Sequence, residues 1–223
     1  MCGRFSLTAD VNAVQKTFPW VNVPPELTPR YNIAPTQPVA VVPNDGTNTL
    51  DFYTWGLIPS WAKDPSIGSR LINARAETLT EKPAFRSAFR RRRCLILADG
   101  FYEWQQRPDR KSKTPMYIRL ASGEPFAFGG LWEEWHSLDG STILSCTIIT
   151  TEPNELAATI HNRMPLILPE EAYATWLEPG DGDPAPLTKL LKPYPASKME
   201  AYPVSTLVNS PANDIPEIVQ PIS

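Results

Sequence analysis

Histidine and cysteine are scarce in this chain of 223 residues, which has two histidines and three cysteines. No Cys-x-x-Cys or His-x-x-x-His spacing occurs, so a structural metal site is not expected. No Gly-x-Gly-x-x-Gly or Walker-type glycine loop occurs, which argues against a nucleotide cofactor. Three widely spaced cysteines argue against a disulfide framework and favour a reducing compartment. Cys94 and Cys146 lie in apolar runs, and we expect both to be inert core thiols.

The chain also lacks long apolar segments, since none approaches the ~20 residues that a membrane helix requires. No basic region followed by an apolar run marks the N-terminus as a secretory signal. Hydrophobic residues make up 42% of the chain and charged residues 20%, which is typical of a soluble globular protein. We therefore expect a cytoplasmic protein with no membrane partner. We also expect a monomer, because no long apolar helix face is left over.

Charge is distributed unevenly along the chain. The net charge of −3 argues against indiscriminate nucleic-acid binding, yet residues 86–113 hold nine basic and only three acidic side chains. That window carries +6 and leaves −9 for the remainder. A localised positive surface on an acidic body suits a short polyanion, and the arginines at 90–93 can extend it. A solvated helix end followed by a basic hairpin tip is the alternative interpretation.

Hydrophobic patterning predicts one α+β domain over residues 1–223, without repeats or a linker. Its basis is a curved, mainly antiparallel, barrel-like sheet flanked by short helices. The 25 prolines suit many tight turns and edge positions. Strands are predicted at 39–42, 50–55, 94–98, 101–105, 115–120, 125–132, 142–150 and 199–204. Helices are predicted after Thr8 as N-cap, and at 82–92, 152–159, 169–177 and 186–191.

Cys2 is the most informative single residue, because removal of Met1 would make it the N-terminus. An N-terminal cysteine carries an amine and a thiol on adjacent carbons, with reference pKa values of ~8 and ~8.5. Such a pair can attack an amide, an ester or an aldehyde, and with an aldehyde it can close a five-membered thiazolidine ring. A small buried residue at a frayed terminus is the alternative. Cys2 by itself leaves both interpretations open.

Reactive side chains are concentrated in four segments with turn-like or strand-end character. These segments are Cys2-Gly3-Arg4-Phe5, Leu71 to Glu77, Asp99 to Trp104, and Ile160 to Pro165.

Together with Tyr31-Asn32-Ile33-Ala34-Pro35, these segments resemble the SOS response-associated peptidase (SRAP) family. Members of that family begin Met-Cys-Gly-Arg-Phe and carry Tyr-Asn-x-Ala-Pro, Asn-Ala-Arg-x-Glu, Phe-Tyr-Glu-Trp-like and His-x-Arg-Met-Pro-like segments in this order. The match runs from residue 2 to Gln220-Pro221. Five motifs in register make the resemblance specific.

The resemblance implies recognition of abasic sites in single-stranded DNA. The N-terminal cysteine of such proteins traps the ring-opened sugar aldehyde as a reversible thiazolidine crosslink, which shields the lesion. Removal of the preceding residue is described either as autoproteolysis or as the work of an aminopeptidase. In a bacterium, a protein of this kind would associate with the nucleoid during repair.

The resemblance assigns catalytic roles to Cys2, Asn73, Glu103 and His161. Cys2 supplies both nucleophiles, and Asn73 can hydrogen-bond the Cys2 amine without protonating it. Glu103 lies in an aromatic strand, where a carboxyl group should hold a proton more readily and can act as a proton shuttle. A solvent-facing strand position is the competing interpretation for Glu103, and turn formation is that for Asn73. His161 can protonate the ring oxygen of the closed sugar.

The resemblance also implies DNA contacts. Arg4 and Arg75 suit bidentate phosphate binding on either side of the lesion. Pro35 and Trp61 can stack on or wedge between neighbouring bases, and Asn32 belongs to the same set. Trp61 is followed by alanine here, whereas some members have two tandem tryptophans.

An ion pair between Glu77 and Arg75 is expected as a structural alternative to phosphate binding by that arginine. His136 is expected at the surface.

Three other functions fit part of the sequence. Class II glutamine amidotransferases also begin Met-Cys-Gly, so an N-terminal-nucleophile hydrolase is one alternative, and ammonia release from glutamine would reveal it. A non-covalent reader of modified or single-stranded DNA is the second, and its complex would dissociate on a denaturing gel. A cysteine peptidase that pairs Cys2 with His161 and acts in trans is the third.

Overall fold

The computed structural model describes residues 2–107, 112–181 and 183–222. Within these ranges the chain is built mainly of short strands. The strands are β1 (Phe5–Leu7), β2 (Arg30–Ile33), β3 (Pro38–Pro43), β4 (Asp51–Trp55), β5 (Asn73–Arg75), β6 (Arg93–Ala98), β7 (Gly100–Gln105), β8 (Thr114–Leu120), β9 (Phe126–His136), β10 (Thr142–Thr151), β11 (Met164–Pro165), β12 (Ile167–Leu168) and β13 (Met199–Pro203). The α-helices are α1 (Val11–Thr17), α2 (Arg86–Arg91), α3 (Glu155–Ala158), α4 (Tyr173–Trp176) and α5 (Pro184–Thr188).

Five strands close a barrel in the order β10-β4-β3-β6-β9, with β9 pairing back to β10. The β10–β4 pair is parallel, and the other four pairs are antiparallel. β5 also pairs with β10 in parallel, and the short β11 and β12 extend β10 and β9. The predicted α+β class with a mainly antiparallel, barrel-like sheet is confirmed.

Burial along the barrel strands follows their apolar pattern. β6 is buried at all six positions, in keeping with its unbroken run from Cys94 to Ala98. The last part of β9 alternates between buried and exposed positions, because one of its faces meets solvent there. The main hydrophobic core therefore fills the barrel and the space between it and the second sheet.

The second sheet has the order β13-β8-β7-β1-β2 and is antiparallel throughout. Phe5 in β1 is fully buried, and its ring lies 5.1 Å from that of Trp55 and 5.6 Å from that of Phe128. Both partners belong to barrel strands, so Phe5 fixes β1 against the barrel by edge-on aromatic packing. Cys2, three residues earlier, is positioned by this anchor.

The helices are shorter than the patterning predicted, and none in the described ranges has the length and apolar character to span a bilayer. The N-cap of α1 is Asp10, whose carboxylate accepts from the Ala13 N–H at 2.8 Å. Thr8 was the wrong choice, because its hydroxyl donates to Asp99 instead. α2 begins at Arg86 rather than at residue 82, although the Arg86 N–H already bonds the Lys82 carbonyl at 3.0 Å.

Candidate functional site

Cys2 lies three residues before the start of β1 and is 0% exposed. Its Sγ points toward the Arg4 carbonyl oxygen at 3.9 Å. Burial raises the pKa of the Cys2 thiol far above its usual range, and the nearby Glu103 carboxylate raises it further. The thiol is therefore neutral at physiological pH. Any reaction at sulfur needs a base that removes its proton.

Asn73 joins Cys2 to the barrel. It begins β5, where it pairs with Ile148 of β10. Its side-chain Nδ2 donates to the Cys2 carbonyl oxygen at 2.7 Å. Its Oδ1 is buried and accepts no hydrogen bond from the described residues. The asparagine thus contacts Cys2 through the carbonyl group, and an acceptor beside Cys2 is left available.

Glu103 lies on β7 and is 4% exposed, so the solvent-facing interpretation of this residue is wrong. Two features bring it to Cys2: β7 pairs with β1, and the Tyr102 N–H bonds the Arg4 carbonyl at 2.9 Å. The residue after Tyr102 is therefore next to the N-terminal end of β1. A buried carboxyl group beside a neutral thiol forms a natural proton acceptor and donor pair.

His161 lies in the turn that follows α3, where its Nδ1 accepts from the Arg163 N–H at 3.0 Å. The same nitrogen lies 3.3 Å from the Arg163 carbonyl oxygen, so the Arg163 backbone holds the imidazole ring in place. The same turn is tied to β7, because Gln105 Nε2 donates to the Thr159 carbonyl at 2.8 Å. Gln105 is two residues after Glu103, so this bond connects the His161 turn to the strand that carries the buried carboxylate.

Arg163 is a site residue that the sequence analysis missed, although it belongs to the His-x-Arg-Met-Pro motif. Its guanidinium binds both oxygens of Glu77, at 2.6 and 3.0 Å, and donates to the Thr150 carbonyl at 2.6 Å. Arg163 also lowers the pKa of the Glu77 carboxyl group. The expected Glu77–Arg75 pair is wrong in its partner, because the doubly bonded guanidinium of Arg163 holds the carboxylate.

An open cleft of about 630 Å³ adjoins this arrangement and brings Trp61, Asn73 and Arg75 together. Trp61 is 59% exposed. The Arg75 side chain is exposed too, and its charge adds only a minor contribution to the lowered pKa of the Glu77 carboxyl group. Lys82 adds a second cation that the sequence analysis did not single out. The cleft thus combines an accessible indole with two positive charges beside the Asn73–Cys2 contact.

Arg4 and Asn32 are placed differently from the cleft residues. Arg4 Nη1 donates to Asn32 Oδ1 and to the Val208 carbonyl, each at 2.7 Å, and its guanidinium lies 5.9 Å from the centre of the Trp104 ring. Asn32 is 0% exposed, and its Nδ2 bonds carbonyls of the C-terminal segment. The structure therefore does not bring Asn32 to the surface. Its bonds serve to hold Arg4 and the C-terminal segment.

Pro35 lies half-buried in the turn after β2 and does not line the cleft. His136 is exposed and bonds Thr142 Oγ1 at 3.0 Å, as expected for a surface residue. Among the residues that the structure describes, no group of three or more His, Cys, Asp or Glu side chains is arranged to hold a metal ion.

Comparison with known proteins places this arrangement in a family. Residues 1–211 match the model of the SOS response associated peptidase (SRAP) family. The chain belongs to that family.

Several relatives align over nearly the whole chain. The abasic site processing protein YoqW of Bacillus subtilis is 51% identical over 223 residues, which cover 99% of both chains. The abasic site processing protein HMCES of Rattus norvegicus is 30% identical over 99% of this chain and 76% of its own. A crystal structure of a protein from Bacteroides thetaiotaomicron superposes with a TM-score of 0.88 at 28% identity, with full coverage of both chains.

Proposed function

We propose that this protein processes abasic sites in single-stranded DNA by trapping the ring-opened sugar on Cys2 as a thiazolidine. The names of the relatives support processing of abasic sites. The observation that carries the covalent step is the position of Cys2, which lies beside buried Glu103 and accepts a hydrogen bond from Asn73, a residue that lines the open cationic cleft. A non-covalent reader would have no use for a buried carboxylate next to a thiol.

The chemistry requires removal of Met1, which exposes the Cys2 amine. The amine adds to the sugar aldehyde, and loss of one water molecule gives an imine. The sulfur then forms a C–S bond to the imine carbon, and the thiol proton is transferred to the nitrogen. Because burial keeps the thiol neutral, Glu103 accepts that proton and returns it to the ring nitrogen.

Asn73 and His161 prepare the two reactants. The buried Oδ1 of Asn73 accepts a hydrogen bond from the exposed Cys2 amine and directs its lone pair toward the aldehyde. His161 protonates the ring oxygen of the closed sugar, which releases the aldehyde. The contacts of its Nδ1 with the Arg163 backbone fix the orientation of the ring.

The cleft holds the DNA strand. Arg75 binds a phosphate next to the lesion, and Trp61 stacks on a neighbouring base in a way that tolerates any sequence. We assign Arg4 and Pro35 to contacts with the DNA backbone and bases nearest Cys2. Asn32 is assigned to holding Arg4 rather than to direct contact with DNA.

Self-cleavage and cleavage by an aminopeptidase would expose the same amine at Cys2.

Intact-mass analysis with an abasic oligonucleotide tests the proposal. The mature protein should lack Met1, and the adduct should weigh the sum of protein and DNA less one water molecule. Cys2→Ala should form no adduct that survives a denaturing gel, whereas the matched variant Cys146→Ala should react normally. An adduct from Cys2→Ala that survives a denaturing gel, or a mature chain that retains Met1, would overturn the mechanism.

Arg75→Ala gives a second test, which concerns DNA rather than chemistry. The variant should bind an abasic oligonucleotide more weakly, and the dependence of log K on log salt should become shallower by about 0.7, because one phosphate is no longer neutralised. Lys16→Ala removes an equal charge from α1, which does not line the cleft, and should leave both quantities unchanged. An unaltered salt dependence in Arg75→Ala would contradict the assignment.

A further inference from the structure

A second cavity, the arginine pocket, lies on the segment that forms one wall of the cleft. It has a volume of about 470 Å³ and is lined by Thr80, Arg86, Ser87, Arg90, Arg91 and Pro184. The cleft is lined by Thr78 and by residues 82–85 of the same segment. One stretch of chain, from Thr78 to Arg91, therefore borders both cavities.

The segment presents its cations in a row. Helical bonding runs back to the Lys82 carbonyl, which accepts from the Arg86 N–H at 3.0 Å. Arg86 and Arg90 are four residues apart in α2, so they occupy one face of the helix, about 6 Å apart. Lys82 precedes α2 and lines the cleft. Phe85 and Phe89 pack into the core and fix the backbone of this segment, so the row of cations leads from the cleft to the arginine pocket.

The arginine pocket keeps a positive charge after its internal pairing is counted. Arg90 and Arg91 share one carboxylate, that of Asp181, at 2.9 and 2.7 Å, and both arginine side chains stay more than half exposed. Arg86 is exposed and makes no hydrogen bond or ion pair with a described residue. Three arginines against one aspartate leave two positive charges facing the cavity.

The remaining two residues of the arginine run serve the fold instead. Arg93 is buried and donates to the carbonyls of Trp176, Phe89, Arg90 and Glu178. Arg92 is paired with the buried carboxylate of Glu133 at 2.7 Å. The expectation that all four arginines extend a phosphate-binding surface is wrong for these two, because their guanidinium groups are already bonded within the chain.

We propose that the arginine pocket binds phosphates of the DNA backbone on one side of the abasic site, as a continuation of the cleft. The inference rests on the proposed function, since the cleft is assigned to the lesion. Exposed arginines on a rigid row bind phosphates by charge and paired N–H groups, independently of base sequence. The pocket therefore increases affinity and fixes the register of the DNA strand, and it takes no part in the chemistry.

Binding of oligonucleotides with a tetrahydrofuran abasic analogue tests the inference, because this analogue has no aldehyde and forms no crosslink. Three oligonucleotides are compared: one with about two nucleotides on each side of the lesion, and two extended by about eight nucleotides on the 5′ or on the 3′ side. The double variant R86A/R90A should bind one extended oligonucleotide about tenfold more weakly. Its log K against log salt should be shallower by about 1.4, because two phosphates are no longer neutralised. Binding of the other two oligonucleotides should be unchanged.

Controls separate this inference from general charge effects and from folding. K16A/K192A removes two charges from residues that line neither cavity and should not change binding. R86A alone breaks no ion pair among the described residues and should show about half of the change in salt slope. Equal affinity of R86A/R90A and the parent for all three oligonucleotides overturns the inference, and so does an equal loss on all three.

The outcome is independent of the proposed covalent chemistry. Crosslinking of an aldehyde-bearing oligonucleotide at saturating concentration should proceed at the parent rate in R86A/R90A. If the parent protein forms no adduct, the thiazolidine proposal is wrong. The binding measurements with the tetrahydrofuran analogue would still show whether the arginine pocket binds the extended strand.

Discussion

The two ends of the β1–β7 strand pair differ in what surrounds their buried polar groups. At one end, Asp99 accepts hydrogen bonds from the Ser6 hydroxyl at 2.6 Å, from the Thr8 hydroxyl at 2.6 Å and from the Ala9 N–H at 3.0 Å. At the other end, Glu103 lies beside the Cys2 thiol, and the buried Oδ1 of Asn73 accepts no bond from the described residues.

The difference separates a structural carboxylate from the one that we propose as reactive, within a single motif. Asp99 and Glu103 are four residues apart and both are buried. Asp99 is surrounded by donors from the turn that leads into α1, so it fixes that turn. Glu103 lies beside the Cys2 thiol, from which we propose that it accepts a proton. Burial alone therefore does not identify a catalytic carboxylate, and its neighbours do.

Gly100 lies at the Asp99 end of the β1–β7 strand pair. Its position in β7 lies under the Tyr117 ring, and a Cβ added there would be 2.1 Å from a ring carbon. The Tyr117 hydroxyl lies 2.7 Å from Ser6 Oγ, within the Asp99 network. Glycine at this position is what lets the tyrosine reach the network.

Asp99→Ala should give the largest effect on stability and separates the two ends most clearly. Loss of the carboxylate leaves several buried donors without an acceptor, at a cost of about 3 kcal/mol in the free energy of unfolding. Urea unfolding monitored by tryptophan fluorescence measures this. The crosslinking rate of the folded protein should stay at the parent value, and a selective loss of that rate would contradict a purely structural role.

Glu103→Gln should show the opposite behaviour. Glutamine preserves the shape of the side chain but cannot take the thiol proton, so the crosslinking rate should fall about 100-fold. The free energy of unfolding should change by less than about 1 kcal/mol. Single-turnover assays on denaturing gels give the rate. Equal rates in Glu103→Gln and the parent would remove Glu103 from the mechanism.

A third prediction concerns the stability of the folded chain at alkaline pH, which depends on its buried thiols. Burial raises the pKa of the Cys94 and Cys146 thiols in the folded chain. Their stabilising contribution is complete below the unfolded pKa of about 8.5 and is lost above it, because the unfolded state then releases protons that the folded state retains. Stability should fall by up to about 1.4 kcal/mol per pH unit for each such thiol.

Urea midpoints between about pH 7 and pH 9.5 check this slope. Cys146→Ala lowers the overall stability through weaker packing but removes one ionising thiol, so its midpoint should fall less steeply with pH than that of the parent. Parallel slopes for the two proteins would contradict the linkage to Cys146.

The smallest effect is expected from Glu77→Gln, which opens the ion pair with Arg163. The pair is partly exposed, so its loss should slow crosslinking only about two- to threefold, through a looser His161 turn. Glu81→Gln is the matched control on the same segment and should react at the parent rate. A loss in Glu77→Gln as large as that in Glu103→Gln would show that the pair does more than position the turn.

Local sequence patterns were sufficient for much of the fold. Alternating and continuous apolar runs located the barrel strands, and the strands predicted at 39–42 and 50–55 pair as β3 and β4. Helix bounds were less well predicted, because the short helices depend on tertiary contacts such as the packing of Phe89 against Trp176. The β9–β10 pair that closes the barrel joins strands that follow one another in the sequence. The parallel β10–β4 pair, in contrast, joins residues that are about 90 positions apart in the sequence.

The candidate site divides in the same way. The sequence alone supplied the reactive types: an N-terminal thiol after Met1, an asparagine, a carboxylate in an aromatic strand, and a histidine in a turn. Only the tertiary structure decided which of these meet, that Glu77 pairs with Arg163, that Asn32 is buried, and that Arg93 is enclosed while Arg86 is exposed. The physical reason is that residue chemistry is local, whereas burial and hydrogen-bond partners depend on strands brought together from distant parts of the chain.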